Sequence, residues 1–130
     1  MRRLFLLLGL VGVLGAVPGS SAATPVTASW SSAVEVPGSA TLNSGGNASV
    51  NAISCGAAGA CTAGGSYKDG PGHAQAFVVS EKNGVWGSAV EVPGTATLNS
   101  GGDAGVTSVS CATAGGCTAA GFYTDRKSVV

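Results

Sequence analysis

Charge is scarce in this chain. Only 9% of its 130 residues are Asp, Glu, Lys or Arg, six acids against six bases. They form no basic patch and no run of like charge, so the electrostatic footprint of a nucleic-acid-binding protein is absent. Aromatic residues make up 5% of the chain, and His73 is the sole histidine. No apolar run reaches the ~20 residues of a membrane-spanning helix. The longest, over 4–17, has 14. Catalytic signatures are missing too: no Gly-x-Ser-x-Gly elbow is present, and His73 sits in a Gly-Pro-Gly turn. A Ser-His-Asp triad assembled from His73, Asp69 and one of many serines has no motif behind it.

The 14-residue run instead fits export. Arg2 and Arg3 precede it, Pro18 and Gly19 break it, and small residues follow. A secretory signal peptide over 1–23 is the reading, with cleavage after Ala22 or Ala23. A membrane anchor is the competing one, but no basic stop-transfer residues follow. Arg2-Arg3-Leu4-Phe5-Leu6 half-resembles a twin-arginine signal, whereas the leucine-rich core favours the general route. Past the cleavage site, four bases (Lys68, Lys82, Arg126, Lys127) face six acids, a net charge of −2. The mature chain is expected to be secreted, with no membrane span.

Glycine is plentiful, with 22 residues. Disorder is nevertheless a poor reading, because valines, tryptophans and alternating runs recur in a fixed order. Trp30 opens a segment that returns at Trp86, 56 residues later, through Val-Glu-Val-Pro-Gly and Asn-Ser-Gly-Gly. Laying residues 30–67 on 86–123 gives 26 identities in 38 positions, the mark of a recent tandem duplication.

After a linker over 24–29, seven strands are expected. The first runs over 30–36, with Trp30, Ser32, Val34 and Val36 on one face. Pro37-Gly38 ends it, and 39–47 is a glycine-rich connection. Strands over 50–55, 61–67 and 74–81 follow. Asn83-Gly84 then turns the chain into a return strand over 85–92, and the cycle restarts with 106–111 and 117–123. Glycine inside the 61–67 strand costs stability but lets another backbone come close. The implied fold is all-β, with antiparallel four-stranded units of 56 residues resembling propeller blades. The tandem region spans 30–124, one full unit plus partial units, and does not close a propeller.

Residues 125–130 depart from the repeat: Arg126 stands where Gly70 should recur. Asp125-Arg126-Lys127-Ser128-Val129-Val130 resembles the in-frame translation of a short-read sequencing adapter. It reads as a non-native tail, with the natural protein continuing past Thr124 or Asp125; a genuine short tail is the competing reading.

Cysteine is the most informative residue type. Cys55 and Cys61 recur as Cys111 and Cys117, at matching repeat positions of an exported chain. Two local disulfides, Cys55–Cys61 and Cys111–Cys117, follow from the duplication. A zinc site of four cysteines is the rival, with spacings wider than zinc ligands normally show. Asp69 with the Asn43 and Asn99 loops offers oxygen to Ca²⁺, but no EF-hand pattern is present. Asn47-Ala48-Ser49 matches a glycosylation sequon that its counterpart Asp103-Ala104-Gly105 lacks. The carboxylate pairs Glu35/Glu91 and Asp69/Asp125 are repeat equivalents, better explained by structure than by an active site. Trp30 and Trp86 are the candidate ligand platforms, though their repetition on a strand argues more for core anchors between sheets. No cofactor and no metal is implied.

The segment 106–121, together with Gln75-Ala76-Phe77-Val78-Val79-Ser80-Glu81 and the Trp-Gly-x-Ala-x-Glu-Val-Pro-Gly run, resembles a repeat of large secreted proteins from high-GC Gram-positive bacteria. The resemblance implies β-propellers with a Ser-Cys…Cys hairpin in each blade, and carries no catalytic residues. The leading functional reading is a secreted, non-enzymatic module for extracellular binding or scaffolding, its ligand a carbohydrate or cell-surface protein. The alternative is the propeller portion of a secreted polysaccharide-acting hydrolase or lyase. Free-thiol titration of the denatured protein is expected to find no reactive thiol; four would exclude the disulfides.

Overall fold

One interior strand of the main sheet is built mostly of small residues, Ala-Cys-Thr-Ala-Gly-Gly-Ser ahead of Tyr67. The computed structural model describes residues 29–126. The signal peptide, most of the linker and the last four residues of the tail lie outside the described residues. Residues 29–32 have no regular structure, and the described residues from Ala33 onward form one compact body. Within it, β1 (Ala48–Ala57) pairs with β2 (Ala60–Lys68), and β2 pairs with β3 (Ala74–Lys82), all antiparallel. Two short strands, β4 (Val85–Trp86) and β5 (Val90–Glu91), return along β3. A second sheet holds β6 (Ala104–Thr113) and β7 (Gly116–Tyr123). The described residues are thus mostly antiparallel β, with two one-turn helices, α1 (Ser39–Leu42) and α2 (Thr95–Leu98).

Several expected elements take the places the residue pattern gives them. Asn83 and Gly84 both adopt positive φ, 53° and 77°, the backbone of a tight hairpin turn matched to strand twist. Cys55 lies opposite Cys61 in the β1–β2 register, and Cys111 opposite Cys117 in β6–β7. Both pairs are disulfide-bonded, each closing its own hairpin. So short a loop removes about 2 kcal/mol of chain entropy from the unfolded state. Such bonds belong to an oxidising, extracellular-type environment. Among the described residues no helix is long and apolar enough to cross a membrane.

Three expectations need correction. Residues 30–36 form no strand. Their repeat equivalents Val90 and Glu91 are ordered by pairing with Val78 and Phe77; among the described residues nothing pairs with Val34 and Glu35, and alternation without a ladder partner does not make a strand. The return strand over 85–92 is split in two. Between the paired positions, β3 has two residues (Val79, Ser80) where the return has three (Gly87, Ser88, Ala89). The extra residue breaks the ladder, as a bulge does. Gly87 N–H still reaches Ser80 O, while Ala89 N–H donates to Pro37 O at 2.7 Å. Finally, the glycine-rich connections contain α1 and α2, single turns too short to show helical periodicity.

Two clusters make the core. Ala63, Tyr67, Phe77, Val79 and Ala89 form the first, with Val36, Leu42 and Trp86 packed on it. Ala76, Ala104 and Val106 form the second, flanked by Val78, Val92 and Val109. The second is the seam where β6 lies on the other face of the β1–β2–β3 sheet. Both β1 and β6 carry register shifts at matching positions, around Asn51 and Gly56 in the former and Thr107 and Ala112 in the latter. The Asn51 amide donates across the seam to Val106 O at 3.0 Å, and Ser54 Oγ accepts from Cys111 N–H at 3.1 Å. Gly64 sits beneath Val106: a Cβ there would lie 2.6 Å from Val106 Cγ1.

Gly64→Ala is therefore expected to cost about 1–3 kcal/mol by overpacking the seam. The reverse exchange at the equivalent position, Ala120→Gly, should cost no more than about 1 kcal/mol from backbone entropy. Urea unfolding of both variants checks this; equal costs would remove the seam from the explanation.

Candidate functional site

Polar chemistry collects where the two repeats meet at the end of β3. The turn after β2 places Asp69 so that its Oδ1 accepts the His73 backbone N–H at 2.7 Å and its Oδ2 accepts the Gln75 amide at 3.0 Å. Gln75 Oε1 in turn accepts from Asn99 Nδ2 at 3.0 Å, and the same amide donates to Ala74 O at 2.8 Å. Asn99 is buried and sits just past α2 in the second repeat. Its Oδ1 accepts the Asp103 N–H at 2.8 Å. Asn43, its repeat equivalent, likewise accepts the Asn47 N–H at 2.8 Å. These asparagines are Asx locks for their loops. Sequence reasoning flagged Asp69, Asn43 and Asn99 as Ca²⁺ oxygens. In the structure the Oδ1 of each asparagine accepts a backbone N–H, and both Asp69 oxygens accept hydrogen bonds. Among the described residues no three His, Cys, Asp or Glu side chains converge on a metal-sized space.

Burial pushes the Asp69 carboxyl up, but the Gln75 amide, the His73 backbone and charge, and the Gly72 backbone outweigh it. The carboxyl is held below the usual carboxylate range. His73 Nδ1 stands 3.6 Å from Asp69 Oδ2, with the imidazole about half exposed. Among the described residues no serine hydroxyl hydrogen-bonds to His73, so the members of a triad are not brought together.

The repeated glutamates are also tied to their own loops. Glu91 Oε2 accepts the Tyr67 hydroxyl at 2.8 Å, and Thr95 approaches Oε1 at 3.5 Å. Burial first, then the hydrogen bond and charge of Glu91, keep the Tyr67 phenol protonated well above its ordinary range. Glu35 Oε1 accepts from Ser39 Oγ at 3.1 Å. Both carboxylates brace the start of a one-turn helix.

The two tryptophans part company. Trp30 is 94% exposed. Trp86 lies opposite Glu81 in β4 and packs half-buried on the first core cluster. It lines an apolar groove of about 220 Å³ with Val36, Pro37, Val50 and Ile53. The residues that carry the contact between repeats are instead Val92, Ala104 and Val106. A second groove, about 330 Å³, opens beside β7 and is lined by Ala76, Val78, Val92, Val106, Gly121 and Tyr123. Sequence reasoning missed it; the visible signal was the recurrence of Tyr67 as Tyr123. Asn47, of the sequon, is exposed.

No protein-family model, curated protein or solved structure matches the chain.

Asp69 ties stability to pH with a definite sign. A carboxyl held low in the fold contributes stability above its ordinary pKa of about 3.9, and that contribution is lost as pH falls through the folded value. Asp69→Asn removes this titration. Urea midpoints of the wild type are expected to fall more between about pH 5 and pH 2.5 than those of the variant; parallel curves would show that Asp69 is uncoupled from folding.

Proposed function

We propose that the chain is a secreted, non-enzymatic repeat module for extracellular binding or scaffolding, part of a larger β-propeller-like protein. The observation that carries this reading is the unequal burial of equivalent residues. Val106 is 3% exposed where the repeats meet, whereas Val50, its equivalent on the outer face, is 47% exposed. The first repeat thus presents on its outer face the apolar position that the contact between repeats covers in the second, as a stack of repeated units would. The disulfides and the low charge suit an exported array, and the titratable side chains serve loops and turns. The Trp86 groove supplies an aromatic wall next to aliphatic side chains, a surface suited to the apolar face of a sugar ring.

Glycan-array binding by the oxidised chain tests the ligand class. Binding is expected to weaken about tenfold in Trp86→Ala, the loss of one stacking contact of about 1.4 kcal/mol. A flat array removes carbohydrate and leaves a protein ligand for the scaffold.

A further inference from the structure

Asparagine chemistry sets one turn apart from the rest of the chain. Only Asn83 is followed by glycine; Ser44, Ala48, Ala52 and Ser100 follow the other asparagines. A side chain on the following residue crowds its own backbone nitrogen, whereas glycine leaves that nitrogen open to the preceding carboxamide. Three of the other asparagine side chains are also engaged. Asn43 and Asn99 accept backbone N–H groups, and the Asn51 amide donates to Val106 O. Asn83 stands exposed at the tip of the β3–β4 hairpin, with Gly84 exposed beside it.

The restraint on this turn comes from another hairpin. Gly84 N–H donates to Gly59 O at 2.9 Å. Gly59 lies in the turn between β1 and β2, which the Cys55–Cys61 disulfide closes. The two tips meet so closely that a Cβ on Gly59 would lie 2.8 Å from Gly84 N. The electron pair with which Gly84 N attacks is the one its departing proton leaves behind, and that pair points at Gly59 O. An acceptor there favours the protonated amide over its anion. Asn83 itself is held at φ 53° by the turn. Gly115, the counterpart of Gly59, also has positive φ, 78° against 70°, but a Cβ on it would meet nothing within 4 Å.

We propose that Asn83-Gly84 is a latent self-modification site, gated by the Gly59 carbonyl. When the tips part, Gly84 N gives up its proton to water and attacks Asn83 Cγ. The N–Cγ bond forms, the Cγ–Nδ2 bond breaks, and ammonia leaves carrying a proton from water, so the cyclic imide is neutral. Water then adds to either ring carbonyl and opens the ring. One opening gives aspartate; the other gives isoaspartate, in which the main chain runs through the side-chain carbon. Isoaspartate adds a backbone atom to a turn whose length sets Lys82 opposite Val85 and Glu81 opposite Trp86. The modification therefore unseats Trp86 from β4. The inference does not depend on any ligand of the Trp86 groove.

The test follows deamidation at mildly alkaline pH by peptide mass spectrometry, which locates each new acid and separates isoaspartate from aspartate. In the disulfide-bonded chain Asn83 is expected to convert slowly. In the reduced chain unfolded in guanidinium it should convert before any other asparagine. Gly59→Ala drives the tips apart and should convert Asn83 about fivefold faster than the folded wild type, as for loss of a hydrogen bond worth about 1 kcal/mol. Gly115→Ala carries the same backbone penalty away from the gate and should convert at the wild-type rate. Equal rates in the two variants, or a folded wild type as fast as the unfolded chain, would overturn the gate. An unfolded chain that leaves Asn83 intact would overturn the site. Should Gly59→Ala fail to fold, hydrogen exchange of the Gly84 amide in the wild type decides: protection is expected, and exchange at the unfolded rate would remove the gate.

Discussion

The contact on which the rest of the structure depends is Val106 seated over Gly64. A bare backbone in the middle of β2 lets a valine from the other repeat come within the distance that any Cβ would occupy. Around that point the second core cluster forms, and the two sheets become one body. The cost is intrinsic: glycine in a strand interior gives up entropy and packing. It is offset only if a neighbour fills the space. The seam is therefore a cooperative feature, in which β2 is weak alone and adequate once β6 covers it.

The β-bulges make the seam directional. Asn51 and Gly56 are the irregular positions of β1, and both face β6: one donates a hydrogen bond to Val106 O, and the other leaves room for the Thr113 carbonyl. Bulges re-aim side chains and bend a strand, here toward the neighbouring repeat. The Asp69–Gln75–Asn99 chain closes the opposite end of the contact with polar groups. Among the described residues no buried side-chain nitrogen or oxygen lacks a partner, as a polar network at a seam requires if it is not to cost stability.

Much of this was legible in the sequence, for identifiable reasons. The hairpin at Asn83-Gly84 and the local disulfides rest on chemistry confined to a few residues, and the long strands on alternation, so each could be read without knowing the neighbours. The fate of residues 30–36 could not. They are nearly identical to 86–92, yet only the latter have β3 within reach, and strand formation is decided by the partner. The one-turn helices, the split of the return strand and the bulges depend on single-residue differences in length between facing segments. Asn99 read as a loop residue; its burial against Ala74 and Gln75 arises only when the second repeat docks. The glycine of β2 was legible as a site of close approach, but which residue approaches it was not.

Near-identity of the two repeats does not make their outer faces equal. Where the first presents Gly56, Gly64 and Ser66 to its neighbour, the second presents Ala112, Ala120 and Phe122. A sheet laid on the second repeat meets methyl groups and an aromatic ring where Val106 met a bare backbone, so it must stand further off or shift. The edge of β7 is different, because Ala119, Gly121 and Tyr123 keep the identities of Ala63, Gly65 and Tyr67. Between β2 and β7, substitution thus falls on the face between repeats and spares the residues that in β2 pack with Phe77 and Val79.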